Sequence, residues 1–294
     1  MVFITPQSFL FFILYLLFIL FILCVDRFYI FWALLEMRTL VFIGLSYSLF
    51  KNNFSQLLTF FIIQTISAFS LLVFYVVGWD LAFTLAVLLK LSIFPFHFWY
   101  LNMVTFFPNI VLFISRTFFK IPSIILIYLF FSCLSLNLVF FSIVRTIFLG
   151  AFSMIFSNDL RFLLVSSSVA NNSWFIISAL ASVLVFFGYI LFYSFFLFYI
   201  LSNLKGLSSS FVLNTSSCVP LVLFCLVAMA GIPPFPVFFM KMVRVLRLSF
   251  YVLNSRIFIF FIILFRVLML LGYLKYSFSL IFYAYSNQQH FFHF

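Results

Sequence analysis

The chain has 294 residues, of which 68% are hydrophobic and only 6% are charged. A water-soluble fold must cover its surface with polar side chains, so this composition excludes a soluble domain and predicts a polytopic membrane protein. The formal net charge is +11, but the 15 Lys and Arg residues are scattered singly along the chain, which argues against nucleic-acid binding.

Continuous apolar runs of about 20 residues predict an all-α bundle of about ten transmembrane helices in a single transmembrane domain, residues 1–294. The first run is interpreted as a span and not as a cleaved signal peptide, because residues 1–7 contain no Lys or Arg. The polar stretch 202–217 is predicted to be a loop. The spans are expected at about 8–25, 28–50, 54–77, 80–99, 105–131, 134–156, 162–181, 183–203, 218–246 and 254–274.

Two of these spans are predicted to be broken by proline. Pro95 lies in the fourth span, and Gly231-Ile232-Pro233-Pro234 interrupts the ninth. Proline removes a backbone donor that lipid cannot replace, so such breaks are expected where the backbone is buried in protein or lines a wet cavity. A lysine close to each break suggests two inverted repeats of five helices, as in many transporters.

Four ionisable residues fall near the middle of apolar spans: Glu36, Lys90, Lys120 and Lys241. A charge at the centre of a bilayer costs about 2.5–3.5 kcal/mol, and it usually marks a functional path. A single lysine of this kind could also snorkel to the interface or form a structural ion pair. The set as a whole favours proton transfer, because lysine can lose its proton at an accessible pH and arginine cannot.

Two neighbouring residues leave alternatives open. His97, within Pro-Phe-His-Phe-Trp, is either a proton relay or a hydrogen-bonded packing residue at the helix break. Arg38 is about 200° around the helix from Glu36, so it needs another partner or a wet cavity, and is as readily structural as functional. No glycine-rich nucleotide loop, P-loop or metal-spaced His/Cys cluster occurs, so we expect no cofactor and no metal in this chain.

Six segments, which occur in the family's order, resemble the subunit 2 family of mitochondrial NADH dehydrogenase (respiratory complex I). Subunit 2 is an antiporter-like membrane subunit of that complex. The lysine after Gly-Ile-Pro-Pro favours this family over subunit 4, which carries an acid there. The chain departs from the family at Ser92, where a glycine is usual, and in SSSVANNSW, which lacks a histidine and leaves Ser173 or water to replace it. The segments are WALLEMRTL (32–40), FSQLLTFFIIQTIS (54–67), KLSIFPFHFWYLNMV (90–104), SRTFFKIPSIIL (115–126), DLRFLLVSSSVANNSW (159–174) and GIPPFPVFFMK (231–241).

The resemblance implies a proton-translocating subunit of the inner mitochondrial membrane, made inside the organelle. Its partners would be other membrane-arm subunits of complex I and inner-membrane lipids. NADH, FMN, iron-sulfur clusters and ubiquinone would be handled by other subunits, with no redox centre in this chain.

The resemblance also implies roles for the residues. Glu36 and Lys90 would form a modulating ion pair, Lys120 would be the central relay, and Lys241 would be the distal proton donor or acceptor. Two other functions stay open: a stand-alone cation/proton antiporter, and a structural membrane scaffold without a lysine relay.

Overall fold

The computed structural model describes residues 5–49, 54–157, 159–205, 212–213, 219–233, 235–251 and 256–289. Within these ranges the chain is almost entirely helical, and eight helical segments are long and apolar enough to cross a membrane, when Asn109–Leu129 is counted as one segment. Large apolar side chains are widely exposed on the helices, among them Leu184 at 81% and Val76 at 74%. Such a surface suits hydrocarbon surroundings, and the predicted all-α, multi-pass fold is confirmed.

The chain divides into two compact units, Met1–Ile143 and Val144–Phe294, and helix α8 crosses the division. In the first unit two short 3₁₀ turns, Phe118–Lys120 and Phe131–Cys133, accompany seven α-helices. These helices are α1 (Pro6–Cys24), α2 (Phe28–Leu49), α3 (Phe54–Val77), α4 (Asp80–Leu91), α5 (Phe98–Val104), α6 (Asn109–Arg116) and α7 (Ile121–Leu129), followed by α8 (Leu136–Phe156).

The second unit contains the remaining helices and one small hairpin. Strand β1 (Leu204–Lys205) pairs antiparallel with β2 (Val212–Leu213), so the predicted loop at 202–217 carries a hairpin; its residues 206–211 and 214–217 lie outside the described ranges. The helices are α9 (Leu160–Ala181), α10 (Val183–Asn203), α11 (Val219–Ala230), α12 (Pro236–Tyr251) and α13 (Arg256–Gln289).

The break predicted at Pro95 is present. Helix α4 ends at Leu91, because Ser92 adopts the left-handed conformation with φ 53° and its N–H closes the last turn on the carbonyls of Leu88 and Leu89. The chain then turns through Pro95 before α5 begins. Left-handed backbone favours glycine and strains an L-residue, so Ser92 holds a strained turn at the end of α4.

The break predicted in the ninth span is also present. Helix α11 ends at Ala230, Gly231 takes φ 79°, and α12 starts at Pro236; Pro234 lies outside the described residues. The Gly231 N–H donates to the Ala228 carbonyl, which closes the helix end. The glycine therefore supplies the left-handed turn that ends α11.

The fifth span is interrupted too, but the break precedes Lys120. Helix α6 ends at Arg116, Thr117 leaves helical geometry with φ −110° and ψ −79°, and a 3₁₀ turn follows. Pro122 lies in the first turn of α7, where proline is tolerated because its missing N–H has no helical partner.

The last helix continues beyond the predicted span, although the part of it apolar enough to cross a membrane is Phe260–Ser279. Helix α13 continues to Gln289, whereas the sequence places its end near residue 274. The expected end was the polar Lys275, but this side chain donates to the Ile155 and Ser157 carbonyls, at 2.8 and 3.5 Å, at the end of α8. The single-domain assignment and the inverted relation of the repeats stay predictions.

Candidate functional site

The residues predicted to form the proton path differ in their exposure. Lys90, Lys120 and Lys241 are 3%, 2% and 1% exposed, and His97 is 3% exposed. Glu36 is partly exposed on α2. The three lysines are therefore held inside the protein and do not snorkel to its surface, which excludes the interfacial alternative for them.

Lys90 lies in the last turn of α4, directly before the break. Its ammonium interacts electrostatically with the Glu36 carboxylate and with the Arg38 guanidinium, both on α2. Within the described part of the chain, no salt bridge of 4.0 Å or less joins Lys90 to Glu36. The two groups of the predicted ion pair thus interact over a longer distance, which leaves room for a bridging group.

Arg38 is anchored to the break in the fifth span. Its Nη1 donates to the Phe119 carbonyl at 3.1 Å, and its guanidinium carbon lies 4.5 Å from the centroid of the Phe119 ring. Phe119 belongs to the 3₁₀ turn that ends at Lys120, where the change of helix type frees backbone carbonyls. This bond supports the structural alternative for Arg38, as an anchor that fixes the backbone beside Lys120.

Lys120 is bordered by an aromatic ring and by a second cation. Its Nζ lies 5.1 Å from the centroid of Tyr100 on α5. Arg116, one turn earlier in the chain, is 0% exposed and interacts electrostatically with Lys120. The three Arg116 nitrogens have no hydrogen-bond partner among the described residues. The sequence did not single out Arg116.

Lys241, in the second unit, lies beside the Gly231 break. Its Nζ is 3.5 Å from the Met229 carbonyl and 5.7 Å from the centroid of the Trp174 ring. Arg266 donates to the Gly231 carbonyl at 2.8 Å, so it holds the backbone of the break. Arg266 was not identified from the sequence, and neither was a second arginine near Lys241, which lies on α12.

The second arginine near Lys241 is Arg244, which is 0% exposed. Its Nη1 donates to the Trp174 carbonyl at 3.1 Å, and its guanidinium carbon lies 3.7 Å from the centroid of the Tyr189 ring. Both Arg244 and Arg266 interact electrostatically with Lys241. Two permanent positive charges thus lie close enough to Lys241 to act on its ammonium group.

Comparison with known proteins finds subunits of one kind of enzyme. The chain is 31% identical over 208 residues to NADH-quinone oxidoreductase subunit N of Campylobacter jejuni, an alignment that covers 64% of this chain and 44% of that protein. It is 25% identical over 266 residues to NADH-ubiquinone oxidoreductase chain 2 of Rhipicephalus sanguineus, covering 85% of this chain and 82% of that protein. No family model matches the chain.

Solved structures give the same fold. A chain of respiratory complex I from Thermus thermophilus with bound aureothin matches with a TM-score of 0.69 at 15% identity, over 85% of this chain and 65% of that one. A chain of the Mrp complex from Dietzia sp. DQ12-45-1b matches with a TM-score of 0.66 at 14% identity, over 83% and 55%. The present chain thus spans less than half of the Campylobacter protein and under two thirds of either solved chain.

The chain is similar in sequence to subunit N of an NADH-quinone oxidoreductase and to chain 2 of an NADH-ubiquinone oxidoreductase, and its fold matches a chain of respiratory complex I. The resemblance stated from the six sequence segments is therefore confirmed.

Between residues 166 and 174, α9 presents a run of buried hydroxyl and amide groups. Ser173, at 0% exposure, exchanges a hydrogen bond with the Thr146 hydroxyl on α8. The Tyr189 hydroxyl donates to the Asn171 side chain at 2.9 Å. These groups can pass or orient protons, but a relay through Ser173 stays a prediction.

His97 lies at the break that follows Lys90. Its ring centroid is 3.9 Å from that of Phe98, and the ring interacts with the backbone of Pro95. Its Nδ1 is buried without a hydrogen-bond partner among the described residues. A packing role is supported on one side of the ring, and a relay role through Nδ1 stays open on the other.

Proposed function

We propose that this chain is a membrane-arm subunit of an NADH-quinone oxidoreductase and that it translocates protons. Support comes from the two relatives, which are named as subunits of that enzyme, and from a fold shared with complex I and Mrp chains. In this assignment, electron transfer from NADH through FMN and iron-sulfur clusters to ubiquinone takes place in other subunits.

One observation carries the proposal for proton translocation: Lys90, Lys120 and Lys241 are each at most 3% exposed and each lies at a break in a helix. Burying a charged ammonium is costly unless a partner compensates, so small changes of nearby charge decide whether such a lysine holds its proton. Helix breaks supply free backbone groups that hold water. The combination suits groups that load and release protons.

The residue roles are those that the resemblance implies, and the chemistry of each group is compatible with its role. Glu36 supplies the movable negative charge near Lys90; at an effective dielectric of 20, a unit pair about 8 Å apart interacts by about 2 kcal/mol. Lys120 then serves as the central relay and Lys241 as the distal donor or acceptor, with His97 as a further relay. Arg38 and Arg266 hold the backbone of two of the breaks.

The cellular setting is part of the same proposal. The relative from Rhipicephalus is chain 2 of an NADH-ubiquinone oxidoreductase, which favours the inner mitochondrial membrane as the location. The partners are then the neighbouring membrane-arm subunits and the inner-membrane lipids that cover the exposed apolar helices.

Purification tests the assignment to a complex. The chain should co-migrate with a large assembly that oxidises NADH and reduces quinone in mild detergent. Recovery of the chain as an active lone carrier, with no NADH-oxidising assembly, would contradict the proposal and support the second candidate, a cation/proton antiporter. The similarity to the Mrp complex chain is the observation that keeps that candidate.

A substitution tests the use of a buried lysine. Lys90→Met in the intact, reconstituted complex should lower proton translocation by ~100-fold, because a proton-transfer group contributes about 10²–10⁴-fold. Lys275→Met is the matched control, since Lys275 is exposed and, within the described ranges, donates to two backbone carbonyls at the end of α8. Equal pumping by the two variants would contradict the relay.

A further inference from the structure

Gln64, in the middle of α3, is a buried amide without a partner. Its side chain is 0% exposed, and neither Oε1 nor Nε2 forms a hydrogen bond with any described residue. An unsatisfied buried amide costs about 1–3 kcal/mol, so its presence in a packed helix needs a physical explanation. No role follows for Gln64 from the functions considered so far.

The neighbours of α3 pack antiparallel to it. On α2, the Phe28 ring stacks on Tyr75 with centroids 4.3 Å apart, and Phe42 lies 5.3 Å from Phe60 near the other end. Beyond the break that ends α4, Trp99 lies 5.9 Å from the same Phe60 ring. These contacts therefore show which residues of α2, α3 and α4 lie at the same level, meaning the same height along the axis of the packed helices.

Gln64 lies at the level of Glu36. The Trp32 indole Nε1 on α2 donates to the Ala68 carbonyl on α3 at 3.1 Å. One helical turn after Trp32 is Glu36, and one turn before Ala68 is Gln64. Because residues four apart share a helix face and the helices are antiparallel, Glu36 and Gln64 occupy facing positions.

Gln64 also lies within one turn of the level of Lys90. Phe74 on α3 and Phe83 on α4 are in contact, with centroids 4.9 Å apart. Two turns after Phe83 is Lys90, and two turns before Phe74 is Ser67, whose hydroxyl donates to the Gln64 carbonyl at 2.6 Å. Helix α3 thus brings its amide between the carboxylate of α2 and the ammonium of α4.

We propose that Gln64 is a positioning residue that bridges Glu36 and Lys90, directly or through one water on either side. This inference rests on the proposed function. The amide Nε2 donates toward the Glu36 carboxylate, and Oε1 accepts from the Lys90 ammonium. An amide has both a donor and an acceptor and no charge, so it links the two groups without cancelling either.

The same amide serves both charge states of the pair. When Glu36 is protonated and Lys90 is neutral, a half-turn of the amide lets Oε1 accept from the carboxyl O–H while Nε2 donates to the amine. The amide gains and loses no proton in this exchange. The orientation of the Gln64 amide therefore depends on the charge state of Glu36 and Lys90.

Gln64→Met tests the bridge in the intact complex, because methionine keeps the length and apolar stem but has no strong donor or acceptor. We expect the complex to assemble and proton translocation to fall roughly tenfold. Gln64→His, which keeps one donor and one acceptor, should restore part of the loss. Gln56→Met is the matched control and should pump normally, because Gln56 lies on the same helix and its Oε1 is also buried without a partner among the described residues, but it is two turns from the level of Glu36 and is partly exposed.

A double-mutant cycle separates bridging from packing. If Gln64 acts through the pair, adding Gln64→Met to Lys90→Met lowers pumping no further, whereas packing damage would add. Normal pumping by Gln64→Met, additive losses, or no restoration by Gln64→His would each overturn the inference. Normal pumping by Lys90→Met overturns the proposed function itself, so the two failures are distinguishable.

Discussion

At the scale of single residues, a buried and a partly buried arginine bind backbone carbonyls at the helix breaks. Arg38 donates to Phe119 and Arg266 donates to Gly231, each at a place where a helix has just ended or changed type. A guanidinium can satisfy such carbonyls permanently, because it stays charged and presents several donors. The breaks are thereby held open beside Lys120 and Lys241.

Arg38→Met should destabilise the first unit. The Phe119 carbonyl would lose its partner in a buried setting, which costs about 1–3 kcal/mol. The measurement is the midpoint of thermal unfolding of the purified complex in detergent. Arg27→Met is the control, because Arg27 is exposed between α1 and α2. Equal midpoints for the two variants would show that the bond to Phe119 contributes nothing measurable.

Ser92→Gly should have the opposite effect and stabilise the protein. Serine at φ 53° occupies a left-handed conformation that costs an L-residue about 1–2 kcal/mol and costs glycine little. We expect the unfolding midpoint to rise, and Ser70→Gly, inside α3, to lower it. A fall in the midpoint for Ser92→Gly would mean that its side-chain bond to the Leu91 carbonyl outweighs the backbone strain.

At the scale of elements, the sequence predicts the breaks better than their surroundings. Pro95 and the Gly231 segment are visible as punctuation in apolar runs, and the structure has both. The start of α7 is less visible, because Pro122 fits a first helical turn and the actual break lies at Thr117. The sequence around a proline does not show whether the proline breaks a helix, as Pro95 does, or lies in the first turn of a helix, as Pro122 does.

Helices α8 and α9 approach each other through a glycine. A Cβ built on Gly150 would lie 2.7 Å from the Ala170 Cβ and 2.9 Å from its backbone nitrogen, so the helices would have to separate. Gly150→Ala should therefore cost about 1–3 kcal/mol of stability. At Gly188 the added methyl would meet only the flexible end of Met240, at 3.0 Å, so Gly188→Ala is the matched control.

The comparison is made on unfolding midpoints of the two alanine variants in the same complex. We expect a clear loss for Gly150→Ala and a small change of either sign for Gly188→Ala, since alanine favours helix over glycine. A gain in stability at Gly150 would mean that α8 and α9 are not in the close contact that the structure shows.

At the scale of the whole molecule, the rarity of charge predicts the site lysines but not their partners. Lys90, Lys120 and Lys241 stand out because each interrupts an apolar run, and all three are buried. Their surroundings depend on contacts between distant parts of the chain, such as the bond from Arg38 to Phe119. Sequence periodicity specifies a helix face and not the helix opposite, so these contacts required the structure.

The central claim is that a buried lysine must gain and lose a proton. Lys120→Arg and Lys120→Met test it most directly, because arginine keeps the positive charge but does not deprotonate, and methionine has no charge. In the assembled complex, reconstituted in vesicles beside the Lys275→Met control, the number of protons translocated per NADH oxidised is measured. We expect both Lys120 variants to assemble and to lose translocation by ~100-fold. Full translocation by either Lys120 variant would show that Lys120 need not gain and lose a proton.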